Sequence, residues 1–166
     1  MGPRAIEPED GFTLIELMVV VLIIAILVAI GLPTFLGARA RAQNRAAQAD
    51  LRNAVSAAKV LYTDNSDYTG VTAASMQAAE PSLVFVDAAT ASSSANAYPV
   101  SFRVFNYGEV NVARMSATGT CYYMRTIEAQ GPAATDVPGA YTGSGGTCTG
   151  NAVAGYGTNA TAFPGW

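Results

Sequence analysis

A chain of 166 residues, 51% hydrophobic and only 13% charged, has room for one modest domain, and its apolar content is high for a freely soluble protein. Its net charge of −3 implies no strongly basic or acidic partner, so nucleic acid is not favoured as a ligand. With no histidine, the common Ser–His and Cys–His nucleophile systems are excluded, and no phosphate-binding glycine loop follows a strand. No enzyme activity, catalytic residue, metal site or cofactor is therefore expected.

Residues 1 to 11 carry Arg4 against Glu7, Glu9 and Asp10. From Phe12 to Leu36 the only polar side chains are Thr13, Glu16 and Thr34, so residues 12–36 are long enough to cross a hydrocarbon core of roughly 30 Å. Glu16 lies inside that stretch. An acid at the centre of such a helix costs about 2.5 to 3.5 kcal/mol, less near its end, and intramembrane ionisable groups are usually paired and functional. A secretory signal peptide would need a basic start and a shorter apolar core; Ala38-Arg39-Ala40 supplies only its small-residue cleavage site. A plain single-pass anchor accounts for the hydrophobicity but not for Glu16.

Gly11-Phe12-Thr13-Leu14-Ile15-Glu16-Leu17 resembles the processing site of type IV prepilins and the related pseudopilins. The resemblance covers residues 11 to about 64 well and the remainder in outline. It implies that a prepilin peptidase removes residues 1–11 by cutting between Gly11 and Phe12 and N-methylates the new terminus on Phe12. It further implies that Glu16 pairs with the Phe12 amine of a neighbouring subunit. A buried pair of that kind penalises any stagger that strands one charge, so it specifies register more than it adds stability. Family leaders are commonly basic, whereas this one has Asp10 before the glycine. Arg39, Arg41, Arg45, Arg52 and Lys59 all follow the apolar segment, and on charge alone would hold that side in the cytoplasm. The leader motif and the cysteine pair favour export instead. The mature chain would carry eight basic and nine acidic residues, a net charge of −1.

Beyond Leu36 no stop signal occurs before Asn65-Ser66-Asp67, which predicts one long helix with residues 37–64 as its amphipathic continuation. Gly31 and Pro33 favour a kink or local unwinding within it. Leu51, Val55, Ala58 and Tyr62 form an apolar stripe suited to packing on a head. Arg41, Arg45, Arg52 and Lys59 form a second stripe about 90° away, read as a solvated or subunit-facing edge. Asp64, Asn65 and Asp67 suit a capped helix end or Asx turn better than calcium. Tyr62 and Tyr68 resemble family positions that pack the head onto the helix.

Residues 65–166 read as a globular head. After an Ala-, Ser- and Thr-rich connection from Thr72 to Ala97, Val100, Phe102 and Val104 alternate, as do Val110 and Val112, with a turn at Asn106-Tyr107-Gly108. A third strand is predicted over Thr120 to Ile127, while Leu83 to Val86 fits a strand or a loop. The fold class is α+β: a long N-terminal helix packed on a small antiparallel sheet, as in type IV pilins. Cys121 and Cys148 flank a glycine- and proline-rich stretch, and the resemblance implies a disulfide that clamps a C-terminal loop; two free thiols are the alternative. Gly143-Ser144-Gly145-Gly146 reads as a loop tip, and Asn159-Ala160-Thr161 fits a glycosylation sequon.

The resemblance implies a structural subunit of a type IV pilus-like homopolymer. It would be held by one span in the cytoplasmic membrane, then assembled into an extracellular filament with minor pilins by an assembly ATPase and a platform membrane protein. A type II secretion pseudopilin and a membrane-anchored binding domain are the competing readings.

Overall fold

The computed structural model describes residues 11–128, 139–144 and 147–151. Two compact units divide the chain, Met1–Arg39 and Ala40–Trp166. Helix α1, Leu14–Asn65, is 52 residues long and unbroken through Gly31 and Pro33, so the local unwinding anticipated there is absent. The Thr34 hydroxyl donates to the Gly31 carbonyl at 2.8 Å, a back-bond placed beside the turn in which proline supplies no N–H. The helix ends where Ser66 enters the left-handed region (φ 57°) and its N–H returns to the Tyr62 carbonyl. Asn65 donates to the Leu61 carbonyl, and the Asp67 carboxylate accepts from the N–H and hydroxyl of Thr69. The polar cluster is thus spent on ending the helix and turning the chain, and no group of three or more potential metal ligands occurs among the described residues.

In the second unit the core-facing side of α1 is made of Ala47, Leu51, Ala54, Val55, Ala57 and Ala58. Four alanines keep that face shallow, which lets a sheet approach closely. Helix α2, Ala73–Ala79, begins at a capping box in which the Thr72 and Ser75 side chains each accept from the other's backbone N–H. Strand β1, Phe85–Val86, and a 3-10 turn at Ser94–Asn96 lead into β2, Val100–Asn106. Strands β3, Glu109–Met115, β4, Cys121–Ile127, and β5, Gly139–Ser144, complete a five-stranded sheet in chain order. It is mixed, because β1 pairs parallel to β2 while the other pairs are antiparallel.

The alternation in the sequence decides the faces. Val100, Phe102, Val110, Val112, Tyr122 and Met124 join Leu51, Val55, Tyr68, Met76, Leu83 and Phe85 in the main core. Ala113, Cys121, Tyr123 and Cys148 form a smaller cluster, consistent with the opposite set of strand positions. The β2–β3 turn is Tyr107-Gly108, with the Gly108 N–H held by the Asn106 side chain at 2.9 Å. Gly119, in the β3–β4 loop, has φ +85°, where glycine is favoured. Polar ties complete the helix–sheet contact: Arg114 meets Asp50 at 2.9 Å, Lys59 meets Glu128 at 3.0 Å, and Thr118 donates to Asn44 at 2.6 Å. On β3 and β4, Arg125 and Glu109 make a largely buried two-point ion pair.

Cys121 and Cys148 are bonded to each other, with Cα atoms 5.3 Å apart. Around the bridge, the Ser92 N–H donates to the Cys148 carbonyl and the Gly150 N–H to Ser101 Oγ. A Cβ at Gly150 would sit 2.7 Å from the Phe102 carbonyl carbon, so only glycine lets the strap lie against β2. Gly143 and Ser144 belong to β5 rather than to a loop tip, because the backbone of 139–144 pairs along β4. Gly145, Gly146 and the Asn159 sequon lie outside the described residues.

Removing the bridge in a Cys121→Ser/Cys148→Ser variant frees a loop with a sequence separation of 27 residues. The chain-entropy model then gives a loss of about 3 to 4 kcal/mol, read as a fall in melting temperature of roughly 10 °C or more. A pH effect follows from Glu128. Burial pushes its carboxyl up, but hydrogen bonds from Lys59 and Thr126 and the Lys59 charge together outweigh that and hold it below its ordinary 4.5. A depressed carboxyl binds fewer protons folded than unfolded, so this stabilisation is present above pH 4.5 and lost as pH falls through the folded value. Thermal melts from pH 3 to 7 should show a shallower acid loss for Glu128→Gln than for the parent.

Candidate functional site

The candidate site is the start of α1, where the folded chain presents the motif from Gly11 to Leu17. Thr13 precedes the first helical residue, and its carbonyl accepts from the Leu17 N–H at 3.3 Å. Its hydroxyl accepts from the Glu16 N–H at 3.3 Å and donates to Glu16 Oε2 at 2.6 Å. The Thr13 N–H donates to the same Oε2 at 2.9 Å. These bonds are a reciprocal capping box, with threonine as the N-cap and glutamate three residues on. The carboxylate also sits at the positive end of the helix macrodipole.

Thr13 is the partner of Glu16 that the sequence reading missed, although Thr13-Leu14-Ile15-Glu16 ahead of an apolar run is the box's signature. Glu16 was assigned a neighbour's amine as its partner; the folded chain gives it a local one first. Both local bonds fall on Oε2, and Oε1 takes no hydrogen bond among the described residues. With Gly11 still attached, the Phe12 nitrogen is an ordinary amide, and its ammonium arises only on cleavage.

Gly11 shows no conformational need for glycine. A Cβ there meets nothing within 4 Å.

Beyond the box, the apolar side chains from Phe12 to Leu36 are uncovered, from 47% exposed at Val20 to 83% at Phe12. α1 is long and apolar enough to cross a membrane, with a mean hydropathy of 3.1 in its most apolar window, none of it buried. Gly31 and Pro33 fall within this stretch. The stripe of Arg41, Arg45 and Arg52 is exposed, while Lys59 is drawn into its pair with Glu128. Tyr62 and Tyr68 meet with ring centroids 4.8 Å apart, and Tyr68 is fully buried, so both serve head packing.

Replacing Thr13 by valine keeps the shape but removes the hydroxyl from the box. The first turn should fray, read as faster amide exchange at Thr13, Glu16 and Leu17 in micelles, at a cost of about 1 kcal/mol. Exchange across residues 40–65 should not change.

The profile of the prokaryotic N-terminal methylation motif matches residues 8–32. Over 64 residues the chain is 47% identical to the type IV wide pilus major component PilA4 of Thermus thermophilus, covering 39% of this chain and 49% of that protein. Over 59 residues it is 42% identical to the type IV major pilin protein PilA of Myxococcus xanthus, covering 36% and 27% respectively. The chain thus spans half or less of the length of these relatives. No solved structure matches it.

Proposed function

We propose that the chain, which matches the N-terminal methylation motif and is similar to two type IV pilins over 64 and 59 residues, is a pilin: a structural subunit of a type IV pilus filament. The observation that carries this reading is the apolar surface of residues 12–36, exposed with no cover among the described residues and lying largely within the N-terminal methylation motif. Such a surface needs lipid or other copies of itself. A prepilin peptidase cuts after Gly11 and methylates the Phe12 amine. The precursor rests in the cytoplasmic membrane through one span, with residues 40–166 on the outer side. An assembly ATPase and a platform membrane protein then move the subunit from lipid into a helix-packed filament core, where minor pilins also enter. Apolar surface passes from one apolar medium to another, so extraction does not require exposing it to water.

Glu16 sets the register. Its Oε1 accepts from the Phe12 ammonium of an adjacent subunit while Oε2 keeps its bonds to Thr13. In this role the chain performs no catalysis.

Intact mass and N-terminal sequencing of protein sheared from the surface of its native cells test the proposal. A chain beginning at N-methylated Phe12 is expected; a chain confined to membranes and still carrying residues 1–11 would overturn it. Glu16→Ala should leave cleavage intact and abolish or sharply reduce filaments, and normal filaments from that variant would remove the register role. Long surface fibres would separate a pilus from a short secretion pseudopilus.

A further inference from the structure

Arg39, Arg41, Arg45 and Arg52 of α1 are exposed, and the three ion pairs among the described residues use Lys59, Arg114 and Arg125 instead. No carboxylate occurs from residue 37 to residue 49, so nothing in this stretch of helix neutralises the first three arginines. They follow Leu36, the end of the apolar segment, by three, five and nine residues. At the helical rise, that is about 5 to 14 Å past the hydrocarbon edge. The headgroup layer is roughly 5 to 8 Å deep on each face, and an arginine adds several Å of apolar stem before its guanidinium. All three can therefore place a planar, five-donor cation among phosphodiesters, whereas Arg52 lies about 24 Å out, beyond that reach.

The arrangement around the helix points the same way. Arg41 and Arg45 share one edge, while Arg39 lies about 160° round from Arg41. A protein partner or a nucleic-acid strand docks from one side. A headgroup layer surrounds the helix.

We infer that Arg39, Arg41 and Arg45 form a collar that binds the phosphate headgroups of anionic phospholipid and seats the precursor in its bilayer. The collar rests on the reading that residues 12–36 span a membrane. It also gives the excess of positive charge after the apolar segment a use on the outer leaflet. In a filament-forming subunit, those contacts are surrendered at extraction.

The test is native mass spectrometry of the precursor in detergent micelles, offered equal amounts of phosphatidylglycerol and phosphatidylcholine. A basic residue near the surface gives about a five-fold preference for anionic lipid. The parent chain should retain phosphatidylglycerol selectively, and Arg39→Gln/Arg41→Gln/Arg45→Gln should lower the ratio of the two adducts by roughly ten-fold or more. Arg52→Gln should leave the ratio unchanged. Equal retention of both lipids by the parent, or a preference that survives the triple substitution, would overturn the collar. An equal loss in Arg52→Gln would also overturn it, because a residue about 24 Å past the hydrocarbon edge does not reach the headgroup layer. Displacement of the adduct by millimolar inorganic phosphate would assign free phosphate instead. Alkaline extraction of native membranes keeps the premise separate: a chain washed out by alkali removes the membrane span itself, whatever the lipid result.

Discussion

The constraint from which the rest follows is that the apolar surface of residues 12–36 has no cover among the described residues. In water, exposure at about 25 cal/mol per Å² across a helix of this length is costly, which is the physical ground for proposing a lipid or helix-packed medium for the segment. Backbone polarity adds a second restriction, since in lipid each N–H and C=O must be satisfied inside the helix. An unbroken α1 meets that demand except at Pro33, which supplies no N–H for the Ala29 carbonyl; the Thr34 hydroxyl back-bonds to the Gly31 carbonyl in the same turn. The same helix then changes composition. Past residue 40 it trades leucine, isoleucine and valine for alanine with an occasional large side chain, which is the pattern of a surface built to lie against a sheet.

How much of this was legible in the sequence depends on which force fixed each element. The strand alternation at Val100, Phe102, Val104, Val110 and Val112, and the Asn106-Tyr107-Gly108 turn, were readable because burial acts with period two and the turn chemistry is local. So was the stripe of Leu51, Val55 and Ala58. β5 was not readable: Gly139-Ala140-Tyr141-Thr142-Gly143-Ser144 has weak strand propensity and is a strand because its backbone pairs with β4. β1 is two residues long and was left open for the same reason. Its parallel pairing to β2 depends on a long connection that no short window reveals. The capping box of α2 uses serine where the usual pattern has glutamate or glutamine, so its signal was faint. The box at Thr13 and Glu16 had a clear signature, but the hydrophobic run around it drew attention to the cost of the carboxylate rather than to its nearest donor.

That box alters the logic of the register. A carboxylate with two donors on one oxygen is already partly compensated, so a lone subunit tolerates Glu16 in an apolar surrounding without waiting for a partner. The ammonium that the proposed cleavage would leave on Phe12 is different: it would be a donor-only group, placed ahead of the helix and outside the Thr13–Glu16 exchange. Among the described atoms of this segment, Glu16 Oε1 is the carboxylate acceptor left open to it. The stronger demand for a partner therefore belongs to the amine. The proposed cleavage would create that demand, whereas a chain with Gly11 attached, whose Phe12 nitrogen is a neutral amide, brings no charge to match. On the proposed function, processing and register become one device: cutting after Gly11 would add to the start of α1 a charge for which the open Glu16 Oε1 of an adjacent copy is a matching acceptor.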